Sequence, residues 1–143
     1  MNIRTATKND VPQLARLMGQ LGYPTTIESM EHRFNNIDLD LSYHTLIAEI
    51  NGEIVGMVGL SKGFFYEYDG SYVRIVAFVV DSNYRRRGVG ENLIIETERW
   101  AKEQGAIAIG LNSGNRPERG AAHRFYSKMG YEAKSTGFSK SLI

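Results

Sequence analysis

The sequence predicts a mixed α/β domain of the α+β kind, built around a mostly antiparallel sheet with one parallel crossover. Three observations predict it. Asn51-Gly52 sits between two strand-like runs, and both central residues of a two-residue hairpin turn need positive φ. Ser71–Val80 is almost wholly apolar or β-branched, as expected of a central strand buried on both faces. A long amphipathic helix pattern over residues 88–104 then leads into another strand pattern, Ala106–Leu111, the order a strand–helix–strand crossover requires.

The remaining elements follow in order. Residues 3–6 read as a short first strand. Asn9 or Asp10 caps a helix with Pro12 in its first turn, and Val11, Leu14, Ala15, Met18 and Leu21 keep the helical period before Gly22 and Pro24 end it. Thr25-Thr26-Ile27-Glu28 has capping-box spacing and opens a second helix to about Asn36, followed by a polar loop over 36–42. Tyr43–Ile50 and residues 53–60 are the hairpin strands, and 61–70 is an aromatic and polar connection. On the long helix, Val89, Leu93, Ile94, Trp100 and Ala101 form one apolar face, and Gly105 is a natural residue just past its end. A loop over 112–119 leads to a helix over 120–129, with Ala122, Phe125, Tyr126 and Met129 on one side. Residues 131–142 suit one or two last strands.

Composition narrows the function. The chain has 143 residues, 42% hydrophobic and 23% charged, which fits a single domain over 1–143. Its net charge of +1 gives no general reason to expect a nucleic-acid partner. The absence of cysteine excludes disulfides, thiolate metal sites and cysteine nucleophiles, and suits a reducing cytoplasm. Met1-Asn2-Ile3-Arg4 carries no apolar signal core, and no apolar run approaches the roughly 18 residues of a membrane span. A cytoplasmic protein with no membrane partner is expected. The spacing of His32 and His44 matches no metal motif, so no metal is expected either.

The strongest chemical signal is Val79-Val80-Asp81-Ser82-Asn83-Tyr84-Arg85-Arg86-Arg87-Gly88-Val89-Gly90. A buried strand ends, a basic glycine-containing loop follows and a long helix begins. Free N–H groups and partial positive charge at a helix start suit phosphate. Gly88 and Gly90 admit an anion close to the backbone, and Arg85, Arg86 and Arg87 add charge-assisted contacts. A P-loop is excluded because no lysine follows Gly90, and a dinucleotide fingerprint because position 93 is leucine.

Arg85-x-x-Gly88-x-Gly90 after an apolar strand resembles the acyl-CoA signature of the GCN5-related N-acetyltransferase superfamily. Ile3-Arg4-Thr5-Ala6-Thr7-Lys8-Asn9-Asp10, Ile47-Ala48-Glu49-Ile50-Asn51-Gly52-Glu53-Ile54-Val55-Gly56 and Ala122-His123-Arg124-Phe125-Tyr126-Ser127-Lys128-Met129-Gly130-Tyr131-Glu132 resemble its opening, its central hairpin and its late helix, in the same order. The resemblance implies acetyl-CoA as cosubstrate, held between splayed strands at Ser71–Val80 and residues 106–112. It implies a diphosphate on the N–H groups from Arg85 to Gly90, Val89 included. It assigns the Val80 N–H to the thioester carbonyl, with Phe78 one pleat earlier on the same face, and Tyr126 to protonation of the leaving thiolate. Of Asn112 and Asn115 in the late loop, Asn115 is the one assigned to the pantetheine amides.

A neutral amine attacks the thioester carbon in this chemistry, and no covalent enzyme intermediate is needed. Many relatives carry a glutamate on the strand before the loop; here that stretch is Arg74-Ile75-Val76-Ala77-Phe78. Glu67, Asp69 and Glu28 remain as candidate bases, alongside a water relay or no base at all. A structural role or a place at the cofactor edge is expected for His123, and for Arg74 a surface ion pair ahead of contact with an anionic acceptor. The acceptor pocket is expected between residues 26–36 and the aromatic loop 64–69. The ending from Gly130 to Leu142 is similar to the aminoalkylphosphonate N-acetyltransferase branch, but that branch's central acidic residues are missing, so its substrate is not carried across. A small primary amine is the expected partner, ahead of a peptide or protein amine, with a homodimer expected from the family. A non-catalytic acyl-CoA sensor is the alternative from another class, and transfer to an amine carried on RNA a further one.

Overall fold

The computed structural model describes residues 1–114 and 117–143. They fall into two compact units, Met1–Gly110 and Leu111–Ile143. The elements of the first are β1 (Asn2–Thr5), α1 (Val11–Leu21), α2 (Ile27–Leu39), β2 (Tyr43–Ile50), β3 (Glu53–Phe64), β4 (Ser71–Val80), α3 (Val89–Glu103) and β5 (Ala106–Leu111), whose last residue opens the second unit. The sheet order is β1-β2-β3-β4-β5, and the β1–β2, β2–β3 and β3–β4 pairs are antiparallel. The strand–helix–strand step β4–α3–β5 matches the expected crossover.

Local chemistry sets the boundaries. The Thr7 N–H donates to Asp10 Oδ2 at 2.7 Å, closing a one-turn 3₁₀ helix that runs directly into α1 with Pro12 in its first turn. The second helix is capped one residue later than the capping-box spacing suggests: Thr26 Oγ1 accepts from the Ser29 N–H at 3.0 Å. α2 also runs past Asn36 to Leu39, and the loop shrinks to Asp40–Ser42, where the Asp40 carboxylate accepts from the Ser42 N–H and hydroxyl. The hairpin turn is as expected, with φ of 50° at Asn51 and 81° at Gly52. β3 continues beyond residue 60 because Ser61, Lys62, Gly63 and Phe64 stay in register with Arg74, Val73, Tyr72 and Ser71.

The two faces of the sheet are covered differently. Val11, Leu14, Ala15 and Leu17 of α1 and Met30 and Phe34 of α2 pack with Ile47, Ile54, Met57 and Val79 in one buried cluster. Met18 and Leu21 face this cluster as expected but are only half-buried, and Leu17 adds a fully buried side chain to it. α3 buries Val89, Leu93, Ile94, Thr97 and Ala101 on the other face, and each large apolar side chain so buried contributes about 1.5–3 kcal/mol. Trp100 instead stacks on His44, centroids 4.8 Å apart. Burial pushes the His44 imidazole down, which favours its neutral form. β4 is not buried on both faces: Val73, Ile75 and Val79 are covered while Arg74 and Val76 are exposed, an alternation that places charge outward.

In the second unit α4 (Gly120–Lys128) ends one residue before the expected Met129. Residues 131–143 form no strand, contrary to the sequence pattern. A strand requires a partner for its N–H and C=O row, and Phe138, Leu142 and Ile143 stand exposed rather than packed.

Candidate active site

The site begins where β4 ends. The Asp81 N–H donates to the Val55 carbonyl at 2.8 Å, the last bond toward β3. Backbone N–H groups alternate sides along a strand, so the Val80 N–H points away from β3. Phe78 and Val80, two residues apart and half-buried, share one face of the strand. Residues 82–84 form a 3₁₀ turn capped by Asp81, whose Oδ1 accepts from the Asn83 N–H at 2.9 Å.

The chain then takes two left-handed steps, at Arg86 (φ 62°) and at Gly88 (φ 80°), before α3 starts. Gly88 is the cap of α3 and adopts that conformation freely; at Arg86 it costs about 1 kcal/mol. Arg85, Arg86 and Arg87 are exposed, Gly90 is half-buried in the first turn and Val89 is buried beneath it. The first N–H groups of α3 have no partner within the helix, and three exposed arginines directly precede its cap. The residues present therefore fit a diphosphate.

A second layer of contacts fixes this loop, and the sequence reading missed it. Arg16 of α1 pairs with Asp81 and donates through Nη2 to the Ile54 carbonyl at 2.7 Å. Gln20 Oε1 accepts from the Ser82 N–H at 2.8 Å, and Gln13 Oε1 from the Ile54 N–H at 2.7 Å. From the other side, the Tyr84 phenol donates to Glu53 at 3.0 Å, and the Arg87 guanidinium lies 5.1 Å from the Tyr84 ring centroid. The signal was present as a polar stripe, Gln13, Arg16 and Gln20, beside the apolar stripe of α1. Burial raises the Asp81 carboxyl pKa, but the Asn83 N–H and the Arg16 guanidinium outweigh it and hold it below the usual carboxylate range.

In the second unit Tyr126 is half-buried on α4, edge-on to Phe125 (5.6 Å) and Tyr131 (6.2 Å). Burial pushes its phenol up against a smaller opposing effect of Arg119, so it is protonated at neutral pH. The Asn112 side chain lies 3.7 Å from where a Cβ on Gly137 would stand. Asn115 lies outside the described residues.

The model of the Acetyltransferase (GNAT) family matches residues 12–131. The chain belongs to that family. Among its relatives, the aminoalkylphosphonate N-acetyltransferase of Salmonella typhimurium is 33% identical over 104 residues, which are 73% of this chain and 66% of that one, just under two thirds of its length. A GNAT family acetyltransferase of Staphylococcus aureus, known from its crystal structure, is 33% identical with a TM-score of 0.86 over 99% of this chain and 98% of that one. An aminoglycoside N-acetyltransferase solved in complex with CoA shares the fold, with a TM-score of 0.84 at 20% identity over 99% and 95% of the two chains.

Against the GNAT pattern, β4 carries no acid, and the three candidate bases are plainly placed. Glu28, Glu67 and Asp69 are all exposed, and Glu67 accepts from the Tyr66 N–H at 3.2 Å. The aromatic loop divides its side chains: Phe65 packs against Tyr68 and Tyr72, while Phe64 and Tyr66 stand in solvent. Arg74 is exposed, but it forms no ion pair among the described residues; among these residues no helix is long and apolar enough to cross a membrane.

Proposed function

We propose that this GNAT chain, acting as one domain over its two units, transfers an acetyl group from acetyl-CoA to a primary amine of a small molecule. The observation that carries it is the left-handed Gly88 at the start of α3, beside three exposed arginines and directly after a strand whose Val80 N–H points away from β3. The loop N–H groups and Arg85, Arg86 and Arg87 bind the diphosphate. Phe78 and Val80 line the path of the pantetheine arm, and Asn115 is the residue assigned to its amides. The Val80 N–H donates to the carbonyl oxygen as the amine attacks, and the Tyr126 phenol gives its proton to the departing sulfur.

The bonds balance simply. A C–N bond forms, the C–S bond breaks, the amine loses one proton to solvent or an exposed carboxylate, and the thiolate gains one. Family relatives named for aminoalkylphosphonate and aminoglycoside acceptors support a small-molecule amine. The cysteine-free composition supports a cytoplasmic setting, and exposed Phe138, Leu142 and Ile143 support pairing of two copies.

The test is thiol release from acetyl-CoA across small amines, polyamines, amino acids, aminophosphonates and short peptides. Release stimulated by a small-molecule amine is the expected result. Tight CoA binding with no acceptor-dependent release from any class would favour a sensor, and no binding would overturn the assignment.

A further inference from the structure

Three side chains on one stripe of α1 hold the diphosphate loop and the strand end beside it. Gln13 and Arg16 take the N–H and the C=O of Ile54; Arg16 also takes the Asp81 carboxylate, and Gln20 takes the Ser82 N–H. Asp81 and Ser82 are the first two residues after β4, so their orientation sets the direction in which the loop leaves the sheet. Further along, the loop depends on a left-handed arginine, a conformation that a non-glycine residue keeps only when its surroundings enforce it.

Arg16 is committed to a carboxylate and a carbonyl, and the Gln20 acceptor to a backbone N–H. Their polar contacts are spent on the loop and on the strand end beside it. From this geometry we infer that Arg16 and Gln20 are positioning residues: α1 sets the affinity for acetyl-CoA by holding residues 81–88 in the binding conformation before the diphosphate arrives. This rests on the diphosphate reading of the loop. A preorganised loop gives up less conformational freedom on binding, and that advantage applies only to ligands that carry the diphosphate.

The ligands used as probes are CoA, acetyl-CoA and S-acetylpantetheine, which keeps the thioester and lacks the diphosphate. Gln20→Met removes the acceptor at an exposed position while keeping side-chain length, and Arg16→Lys keeps the charge but not the two-armed grip. Calorimetry is expected to show the Kd for CoA raised about fivefold in Gln20→Met, the equivalent of one hydrogen bond, and at least as much in Arg16→Lys. The ratio of kcat/KM for acetyl-CoA to that for S-acetylpantetheine is expected to fall by the same factor. An unchanged Kd, or equal losses with both donors, would overturn the inference and leave α1 a purely structural support. Gly90→Glu separates the two levels. If it binds CoA as the parent does, the diphosphate reading itself falls; if it loses CoA while both α1 variants retain it, only the positioning role falls.

Discussion

Gly56 lies directly beneath Val89: a Cβ at residue 56 would stand 3.0 Å from Val89 Cγ1 and 3.0 Å from Leu93 Cδ1. Both side chains are fully buried, and both belong to the first turns of α3, the helix whose start forms the candidate phosphate site. The missing side chain on β3 is therefore what lets that helix start sit against the sheet. Gly56→Ala is expected to cost about 1–3 kcal/mol by overpacking, read as a lower denaturant midpoint. CoA affinity is expected to fall with it, because the turn that must yield carries Gly88 and Gly90. A Gly56→Ala variant with parental stability and affinity would show that α3 has slack at this point.

Acid should loosen the fold through two carboxylates. The Asp10 carboxyl is held low chiefly by Arg4, which forks onto it with both bonds at 2.9 Å, and Asp81 is held low by Asn83 and Arg16 against the opposing effect of burial. A depressed folded-state pKa means that the unfolded chain binds protons first as pH falls. The stabilisation is complete above about pH 4 and is lost as pH drops through the folded values. Thermal midpoints measured from pH 6 downward should fall steeply below that point. Asp81→Asn, which cannot titrate, should lower the midpoint at pH 6 and flatten the acid limb; an acid limb as steep as the parent's would remove Asp81 from the account.

Thr97 presents the reverse case. Its side chain is fully buried on α3, and its hydroxyl has no hydrogen-bond partner among the described residues. A buried polar atom left unpaired costs about 1–3 kcal/mol, while valine fills nearly the same volume without the hydroxyl. Thr97→Val should therefore raise the melting temperature. A lower melting temperature would mean that the hydroxyl has a hidden water partner.

What the sequence disclosed about this protein follows from the range of the interactions involved. The Asn51-Gly52 turn, the extent of β4 and β5 and the start of α3 to within one residue of Gly88 are written in short stretches, because φ preference, apolar runs and helix starts are local properties. The basic, glycine-containing loop between β4 and α3 was legible for the same reason. Its supports were not, since Arg16 reaches Asp81 across 65 positions and Gln20 reaches Ser82 across 62. Polar residues beside an apolar helix stripe look like any solvated face until the partner strand is placed. The tail over 131–143 failed in the opposite sense: its alternation permits a strand, but strand formation depends on an available edge, which no local pattern specifies.

Tyr126 carries the sharpest chemical expectation. A leaving thiolate needs a proton, and a phenol supplies one only while it is protonated. Burial of the ring raises its pKa above the usual phenol value against a smaller opposing effect of Arg119, so the acid form persists throughout the neutral range. Tyr126→Phe removes the proton and keeps the ring. Turnover should then fall on the order of 100-fold, the usual scale for loss of a general acid, with the Kd for CoA nearly unchanged. The parent's rate should also decline on the alkaline side only above about pH 10, where an ordinary phenol ionises, and that decline should vanish in Tyr126→Phe. The pH profile separates the proton donor from a packing residue, since a ring that merely fills space has no titration to lose. An alkaline limb identical in both proteins would return Tyr126 to the role of a packed aromatic and leave the sulfur to take its proton from water.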